Sequence, residues 1–261
     1  DLAVIGGGYA GVAAALAAAR TGAEVLLVDK SNCLGGAAVN CLVNPYMLYW
    51  TEMNGSRVDL SAGIFLELHR RMEARGAMWQ ETFLEEELKY VLNEMVAEAG
   101  VDLLFHAYIF KAEKADGRIT SVTVATKSGE MVIEADYFID ATGDADILYL
   151  SGHTCNYSEN AMVLWTVEYN ENAPKGGNDL NAHLHTAIHA DPLENVYTRE
   201  PLSGKMVTDF ILEGRRRYRN LLKKEYAEQY PSITFTFNPV NFAVAGENPF
   251  LHSYNAGRYI R

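Results

Sequence analysis

The sequence predicts an α/β fold with a central parallel sheet, and three observations predict it. First, the apolar run Leu2 to Ile5 ends directly in Gly6, Gly8 and Gly11, spaced G-x-G-x-x-G. Second, an alanine-rich stretch without proline, Val12 to Arg20, reads as a helix and leads to another apolar strand, Glu24 to Asp29, which closes on an acid. Third, four strand-like runs between residues 101 and 140 are punctuated by turn dipeptides and return to a buried strand, "YFID". Strand, glycine turn, helix and strand, followed by a β-meander, describe a Rossmann-like unit of the FAD/NAD(P)-binding kind.

The glycines of the opening have separate tasks. Gly6 permits a tight turn off the strand, Gly8 lets a pyrophosphate approach the backbone, and Gly11 lets the helix pack close to the sheet. The N–H groups of the first helical turn, which includes Tyr9 and Ala10, favour an anion. Asp29 stands 23 residues after Gly6, where a carboxylate accepts hydrogen bonds from ribose hydroxyls and repels a 2′-phosphate. Because the strand, the helix and the acid all frame the motif, an ADP moiety is the expected ligand. Both NAD and FAD carry one.

At 261 residues the chain is long enough for one large domain or two small ones. A formal net charge of −12 argues against nucleic acid and anionic membrane surfaces as partners. No apolar run has the length of a membrane span. Cys33, Cys41 and Cys155 show neither metal spacing nor an even disulfide framework, which fits a reducing compartment, and a cytoplasmic location is expected. The first residue already abuts the first strand, as expected of a trimmed N-terminus.

Along the chain, residues 30–57 read as irregular. Val58 to Arg75 carries Leu60, Ile64, Leu68 and Met72 at helical spacing and predicts an amphipathic helix stopped by Gly76. Thr82 and Glu85 have capping-box spacing ahead of a second helix, with Leu88, Val91, Leu92, Met95 and Val96 inward and Gly100 at its end. Asp116-Gly117 and Ser128-Gly129 are hairpin turns within the meander. Asp179 to His189 and Val207 to Tyr226 read as helices, and residues 233–246 as a strand.

Three features favour FAD. The pair Gly35-Gly36 follows the ribose acid closely, an antiparallel meander separates the helices from the next parallel strand, and that strand ends in the small residues Ala141, Thr142 and Gly143. With "LGGAAVNCLVNPYM", "GVDLLFHAYIF" and "DYFIDATGDAD" added to the opening, the chain resembles FAD-dependent oxidoreductases of the glutathione-reductase-like flavoprotein superfamily, in the bacterial group known generically by that name. The resemblance is specific over about residues 1 to 150. It implies a FAD-binding domain over 1–158, with an irregular flavin loop and helices at about 31–100 and the meander at about 101–134. A partial substrate or cap domain over 159–261 is implied to be incomplete at its C-terminal end.

The resemblance also implies site residues. Gly6, Gly8 and Gly11, with Tyr9 and Ala10, hold the pyrophosphate; Asp29, with Lys30 beside it, holds the ribose. Gly35, Gly36 and Ala37 run along the cofactor toward the flavin, the Ile109 backbone meets adenine, and Ala141, Gly143 and Asp144 line the ADP site. Two departures qualify it. The places where disulfide reductases of the superfamily carry paired cysteines hold Ala38 and Val43, so Cys33 and Cys41 read as packing residues. Late in the chain, "NFAVAGENPFLHSYNAGRYIR" faintly resembles the strand-glycine part that closes such sites, without a final helix.

Other groups read as structural. His183, His185 and His189 lack the glutamate and third ligand of a zinc site, and the Arg-rich run at 215–219 reads as a solvated helix face more than an anion site. Asn40, Asn44 and Tyr46 fall near the expected flavin ring, where they orient substrate, bond the flavin or satisfy loop backbone. The function expected is transfer of a hydride or electron pair between a small organic substrate and FAD, with acceptor, catalytic residues and oligomeric state open. The alternatives are a non-catalytic cofactor-binding remnant or fragment, and an NAD-using dehydrogenase or thiazole-synthase-like protein.

Overall fold

The computed structural model describes residues 1–41, 43, 46, 49–79 and 81–157, together with 160–169, 175–176, 180–181, 183–188, 204–205, 208–209, 212, 235–244, 252–253 and 258–259. The N-terminal unit contains β1 (Leu2–Ile5), α1 (Tyr9–Arg20), β2 (Val25–Val28), α2 (Ala37–Asn40), β3 (Trp50–Met53), β4 (Ser56–Asp59), α3 (Ile64–Ala74), β5 (Met78–Trp79), β6 (Thr82–Phe83), α4 (Glu85–Glu98), β7 (Asp102–Leu104), β8 (Tyr108–Ala115), β9 (Arg118–Thr126), β10 (Gly129–Glu134), β11 (Tyr137–Asp140) and α5 (Asp146–Leu150). The central sheet is parallel throughout, in the order β11-β1-β2-β7. Strand order reverses direction beside β1, which makes the gap between the carboxyl ends of β1 and β11 the topological switch point.

Alternation along the short strands builds three layers. Leu2 and Val4 of β1, with Val25 and Leu27 of β2, face Val12, Ala15 and Leu16 of α1, Leu68 and Met72 of α3, and Leu88, Leu92 and Met95 of α4. Ala3, Ile5 and Val28 point the other way, onto Ile109, Val122, Val124 and Ile133 of the meander and Ile147 of α5. The meander pairs antiparallel in the order β10-β9-β8, turning at Asp116-Gly117 as expected. Gly76 and Gly100, both at positive φ, follow the ends of α3 and α4 as expected.

Several elements differ from the sequence reading. The helix expected from Val58 begins at Ile64, and Val58 lies in β4, paired with β3 across Asn54-Gly55. Both turn residues adopt positive φ, the geometry of a tight hairpin, so the chain has already turned before the helical period begins, and Leu60 is 61% exposed. Leu84, not Thr82, stands at the N-cap of α4, with no side-chain cap hydrogen bond; Thr82 is committed to the β5–β6 pair. The segment expected to be helical from Asp179 forms instead β15 (Leu180–Asn181) and β16 (His183–Ile188), introduced after β12 (Asn156–Tyr157), β13 (Asn160–Tyr169) and β14 (Lys175–Gly176). β16 adds to β13 antiparallel, and sheet pairing overrides the local helical pattern. The expected late strand is present as β17 (Phe235–Val244), also on β13. His189 and the Arg-rich run at 215–219 lie outside the described residues, as does most of the helix read over Val207 to Tyr226.

Candidate dinucleotide site

The turn after β1 is packed so tightly that Gly6 and Gly11 are sterically required. A Cβ on Gly6 would lie 2.1 Å from the carbonyl oxygen of Ala141, and one on Gly11 would lie 1.7 Å from the Gly6 carbonyl oxygen and 3.2 Å from the Ala141 side chain. Gly6 and Gly11 therefore hold α1 against the ends of β1 and β11, where the Ala141 N–H donates to the Ile5 carbonyl at 2.8 Å. Gly8 is different. Its Cβ would meet nothing nearer than the Gly36 Cα at 3.8 Å, an ordinary contact, so packing does not demand glycine there.

Gly8 is the N-cap of α1, and the helix's first hydrogen bond runs from the Val12 N–H to the Gly8 carbonyl at 2.9 Å. The N–H groups of Tyr9, Ala10 and Gly11 stand ahead of it, with no acidic residue in the first turn. A partly positive helix end with a glycine at its N-cap fits a pyrophosphate.

The second glycine pair is brought onto the first. The Gly35 N–H donates to the Gly7 carbonyl at 2.8 Å, and a Cβ on Gly36 would stand 2.8 Å from the Gly8 Cα. Ala37 then opens α2, beside Gly8. At the end of β2, the Asp29 carboxylate accepts the Gly7 N–H through Oδ2 at 2.5 Å and the Ser31 N–H through Oδ1 at 2.7 Å, and the Ser31 hydroxyl meets Oδ1 as well. A carboxylate has about four acceptor positions, so Asp29 fastens the glycine turn and keeps acceptor capacity for a ribose hydroxyl. Lys30 is exposed beside it.

Ile109 is buried on β8 against the sheet, and its strand is reached from the Ala107 N–H, which donates to the Asp29 carbonyl at 3.1 Å. The ladder between β8 and β9 shifts register between Ile109 and Lys111, immediately beyond that tie. On the other flank, the Asp140 carboxylate shapes the turn that carries Gly143 and Asp144. It accepts from the Thr142 hydroxyl at 2.7 Å, the Thr142 N–H at 3.2 Å, the Ile147 N–H at 2.9 Å and the Leu148 N–H at 3.2 Å. Gly143 is exposed at φ 87° and Asp144 is half-buried.

Thus the structure gathers Gly6, Gly8, Tyr9, Ala10, Gly11, Gly35, Gly36, Ala37 and Asp29 at one end of the sheet, with Ala141 on the neighbouring strand. Sequence reasoning missed Ser31, which braces Asp29, and Asp140, which caps α5. The Asp-x-Thr spacing of Asp140 and Thr142, typical of side chains that bond their own turn, was the available signal for the latter.

Cys33 is buried and Cys41 half-buried; both are free thiols pushed up in pKa by burial. Cys33 lies 3.6 Å from the Asn40 side-chain oxygen, a contact that closes the loop between them. Among the described residues no group of three or more His, Cys, Asp or Glu is placed to hold a metal ion, and no helix is long and apolar enough to cross a membrane.

A glycine-bounded cleft at the switch point of a parallel sheet, with an acid at the end of the second strand, defines a dinucleotide-binding protein. The chain belongs to the FAD dependent oxidoreductase family, whose model matches residues 1–242. FAD is thus the cofactor; the match favours neither the NAD reading nor the remnant reading.

Among solved structures, the chain is similar to L-proline dehydrogenase from P. horikoshii, with 13% identity, TM-score 0.56, and coverage of 95% of this chain and 83% of that one. It is also similar to p-nitrophenol 4-monooxygenase PnpA from Pseudomonas putida DLL-E4, with 13% identity, TM-score 0.52, and coverage of 93% and 67%. At such identities the likeness shows the fold. A third match, Thermovibrio ammonificans THI4, has 17% identity and TM-score 0.41 over 59% of this chain and 64% of that one. The chain spans 36% to 64% of the length of THI4 and three further structures that it matches. No curated protein matches it in sequence.

Proposed function

We propose that this chain binds FAD by its ADP half across the two docked glycine loops and serves the transfer of a hydride or electron pair from a small organic substrate. When bound, FAD supplies the ring that accepts the electron pair, and the chain supplies position and electrostatics. The head of α1, from Gly8 to Gly11, takes the pyrophosphate; Asp29, braced by Ser31, takes the ribose; the backbone near Ile109 borders the adenine. Ala141, Gly143 and Asp144 form the wall on the β11 side, and Gly35 to Ala37 form the wall beyond the pyrophosphate. Tyr9 and Tyr46 stay protonated, so this wall presents neutral donors.

The observation that carries the reading is the docking of Gly35-Gly36 on Gly7-Gly8, which keeps the backbone at the head of α1 clear of Cβ atoms. Within the family, the glutathione-reductase-like branch and its bacterial members remain the preferred placement, supported by the run of motifs from Gly6 to Asp144. We divide the chain into a FAD-binding unit over 1–158 and a substrate-side unit over 159–261, the boundary falling after α5. The free thiols support a reducing, cytoplasmic setting.

Denaturation of the purified protein and chromatography of the released nucleotide tests the assignment, together with calorimetric titration of the apoprotein with FAD and with NAD. FAD released, or bound in preference to NAD, is expected. Binding of NAD without FAD overturns the reading.

A further inference from the structure

Tyr9 is the first residue of α1, at the pyrophosphate end of the proposed site, and its side chain reaches Tyr46, which follows α2. There its hydroxyl comes 3.4 Å from that of Tyr46, with the rings 6.2 Å apart. Tyr46 cannot shift easily. Its ring is buried against Phe83 at 4.5 Å, Phe65 at 5.3 Å and Tyr49 at 6.2 Å between centroids, and its N–H donates to the Glu81 carbonyl at 2.9 Å. Tyr9 keeps 37% of its surface exposed. The pair therefore has one fixed member in the core and one at the protein surface.

A separation of 3.4 Å is longer than the roughly 2.7–2.8 Å preferred by O–H···O bonds. The two hydroxyls barely satisfy each other, and a third oxygen that approaches both can accept from each. Each phenol is kept in its neutral, donating form. Burial pushes the Tyr46 phenol up to about 12.

A dinucleotide with its pyrophosphate at the head of α1 lies beside Tyr9, the first residue of that helix. We propose that the Tyr9 and Tyr46 hydroxyls form a two-pronged donor site for an oxygen of the riboflavin half of FAD, and that this site sets the preference for FAD over ADP. The proposal rests on the FAD reading above.

The test is calorimetric titration of the apoprotein with FAD and, separately, with ADP, for the parent, Tyr9→Phe, Tyr46→Phe and Tyr49→Phe. Phenylalanine keeps each ring in the aromatic cage, and near-ultraviolet circular dichroism checks that the cage survives. Loss of one hydrogen bond should weaken FAD roughly 3- to 10-fold in Tyr9→Phe and in Tyr46→Phe, with ADP changed by less than about twofold. Tyr49→Phe, whose hydroxyl instead meets His69 Nε2 at 3.0 Å, should leave the ratio of FAD to ADP affinity at the parent value. Unchanged FAD affinity in both variants overturns the proposal, and so does an equal loss for ADP, which would mean that the hydroxyls merely brace the helix head. A parent that binds neither nucleotide refutes the FAD reading itself, and the donor site with it.

Discussion

Two glycines three residues apart should respond to the same substitution in opposite ways. In Gly11→Ala the new methyl would lie 1.7 Å from the Gly6 carbonyl oxygen, far inside any real contact, and 3.2 Å from the Ala141 side chain. Neither neighbour is a flexible side-chain end. To restore contact distance, α1 would have to move by more than an ångström from β1, parting Val12, Ala15 and Leu16 from Val4 and Leu27 in a core where all five are at most 2% exposed. Overpacking of this kind costs about 1–3 kcal/mol and more when backbone must shift, a large share of the roughly 5–15 kcal/mol that holds a domain folded. In Gly8→Ala the methyl has the Gly36 Cα at 3.8 Å as its one neighbour within 4 Å, and the backbone, at φ −70°, accepts any residue. The folded apoprotein should lose about 1 kcal/mol or less, the cost of alanine at an N-cap.

The ligand sees the reverse. The Gly8 methyl occupies the approach to the N–H groups at the head of α1, and loss of one or two hydrogen bonds to a charged phosphate at about 1.5–3 kcal/mol each weakens binding at least tenfold. Urea unfolding of the apoprotein followed by circular dichroism reads the first quantity, and titration with ADP reads the second. Gly8→Ala should give a near-parental midpoint and a lost or weakened titration, whereas Gly11→Ala should give a strongly lowered midpoint. A Gly11→Ala protein as stable as the parent refutes the packing argument, and a Gly8→Ala protein that binds ADP like the parent refutes the placement of the pyrophosphate.

Asp29→Ala should weaken ADP by about one to two decades and should also destabilise the ligand-free protein by about 1–3 kcal/mol, because the buried Gly7 N–H loses its acceptor; an unchanged urea midpoint without ligand would show that this bond holds nothing. Arg20, and after it Arg71, hold the Glu67 carboxyl below its ordinary range. That contribution is whole above the unfolded value of about 4.3 and is lost as pH falls through the lower folded value, so Glu67→Gln should flatten stability against pH below about 4.3 at a neutral-pH cost of no more than about 1 kcal/mol; an unaltered acid limb in urea titrations would contradict it. At the alkaline end, the folded chain keeps the Tyr46 proton up to about 12 while the unfolded chain releases it near about 10, so stability should fall as pH rises through that window. Tyr46→Phe should make that fall shallower, and an identical alkaline slope in thermal melts would count against the shift.

What was legible in the sequence is what depends on near neighbours. The spacing Gly6, Gly8, Gly11 and Asp29 lies within one strand-helix-strand unit, and the inward face of α4, from Leu88 to Val96, repeats at the helical period without interruption. Where two local signals competed, periodicity alone misled. Leu60 shares the spacing of Ile64, Leu68 and Met72, yet Asn54-Gly55 had already committed the chain to a hairpin, which leaves Leu60 outside. Thr82 and Glu85 match a capping box in spacing, but the β5–β6 pair takes Thr82 before the helix opens. His183 and His185 fall on β16 because β13 offers them a ladder that no local preference reports.

The remaining part of the site was beyond any local pattern, because its cause lies in the core. Leu34 is fully buried among the side chains that line the helical face of the sheet, and a Cβ on Gly7 would strike its Cδ2 at 2.7 Å. Burial of Leu34 thus draws the second loop down onto the first turn, and the absence of a side chain on Gly7 makes room for it. The Gly35 N–H then fastens to the Gly7 carbonyl, and positive φ at Gly35 and Gly36 turns the chain so that α2 begins beside Gly8. Gly36 must be glycine because Gly8 lies behind it, while nothing in the apoprotein crowds Gly8 enough to demand glycine there. The glycines of the two turns are therefore held to different degrees: Gly6, Gly7, Gly11 and Gly36 by the packing of the protein, and Gly8 by no close packing contact. Of these five, packing leaves Gly8 alone free to vary, so a Gly8→Ala protein that folds like the parent and fails to bind ADP assigns that position to the ligand, and one that binds like the parent does not.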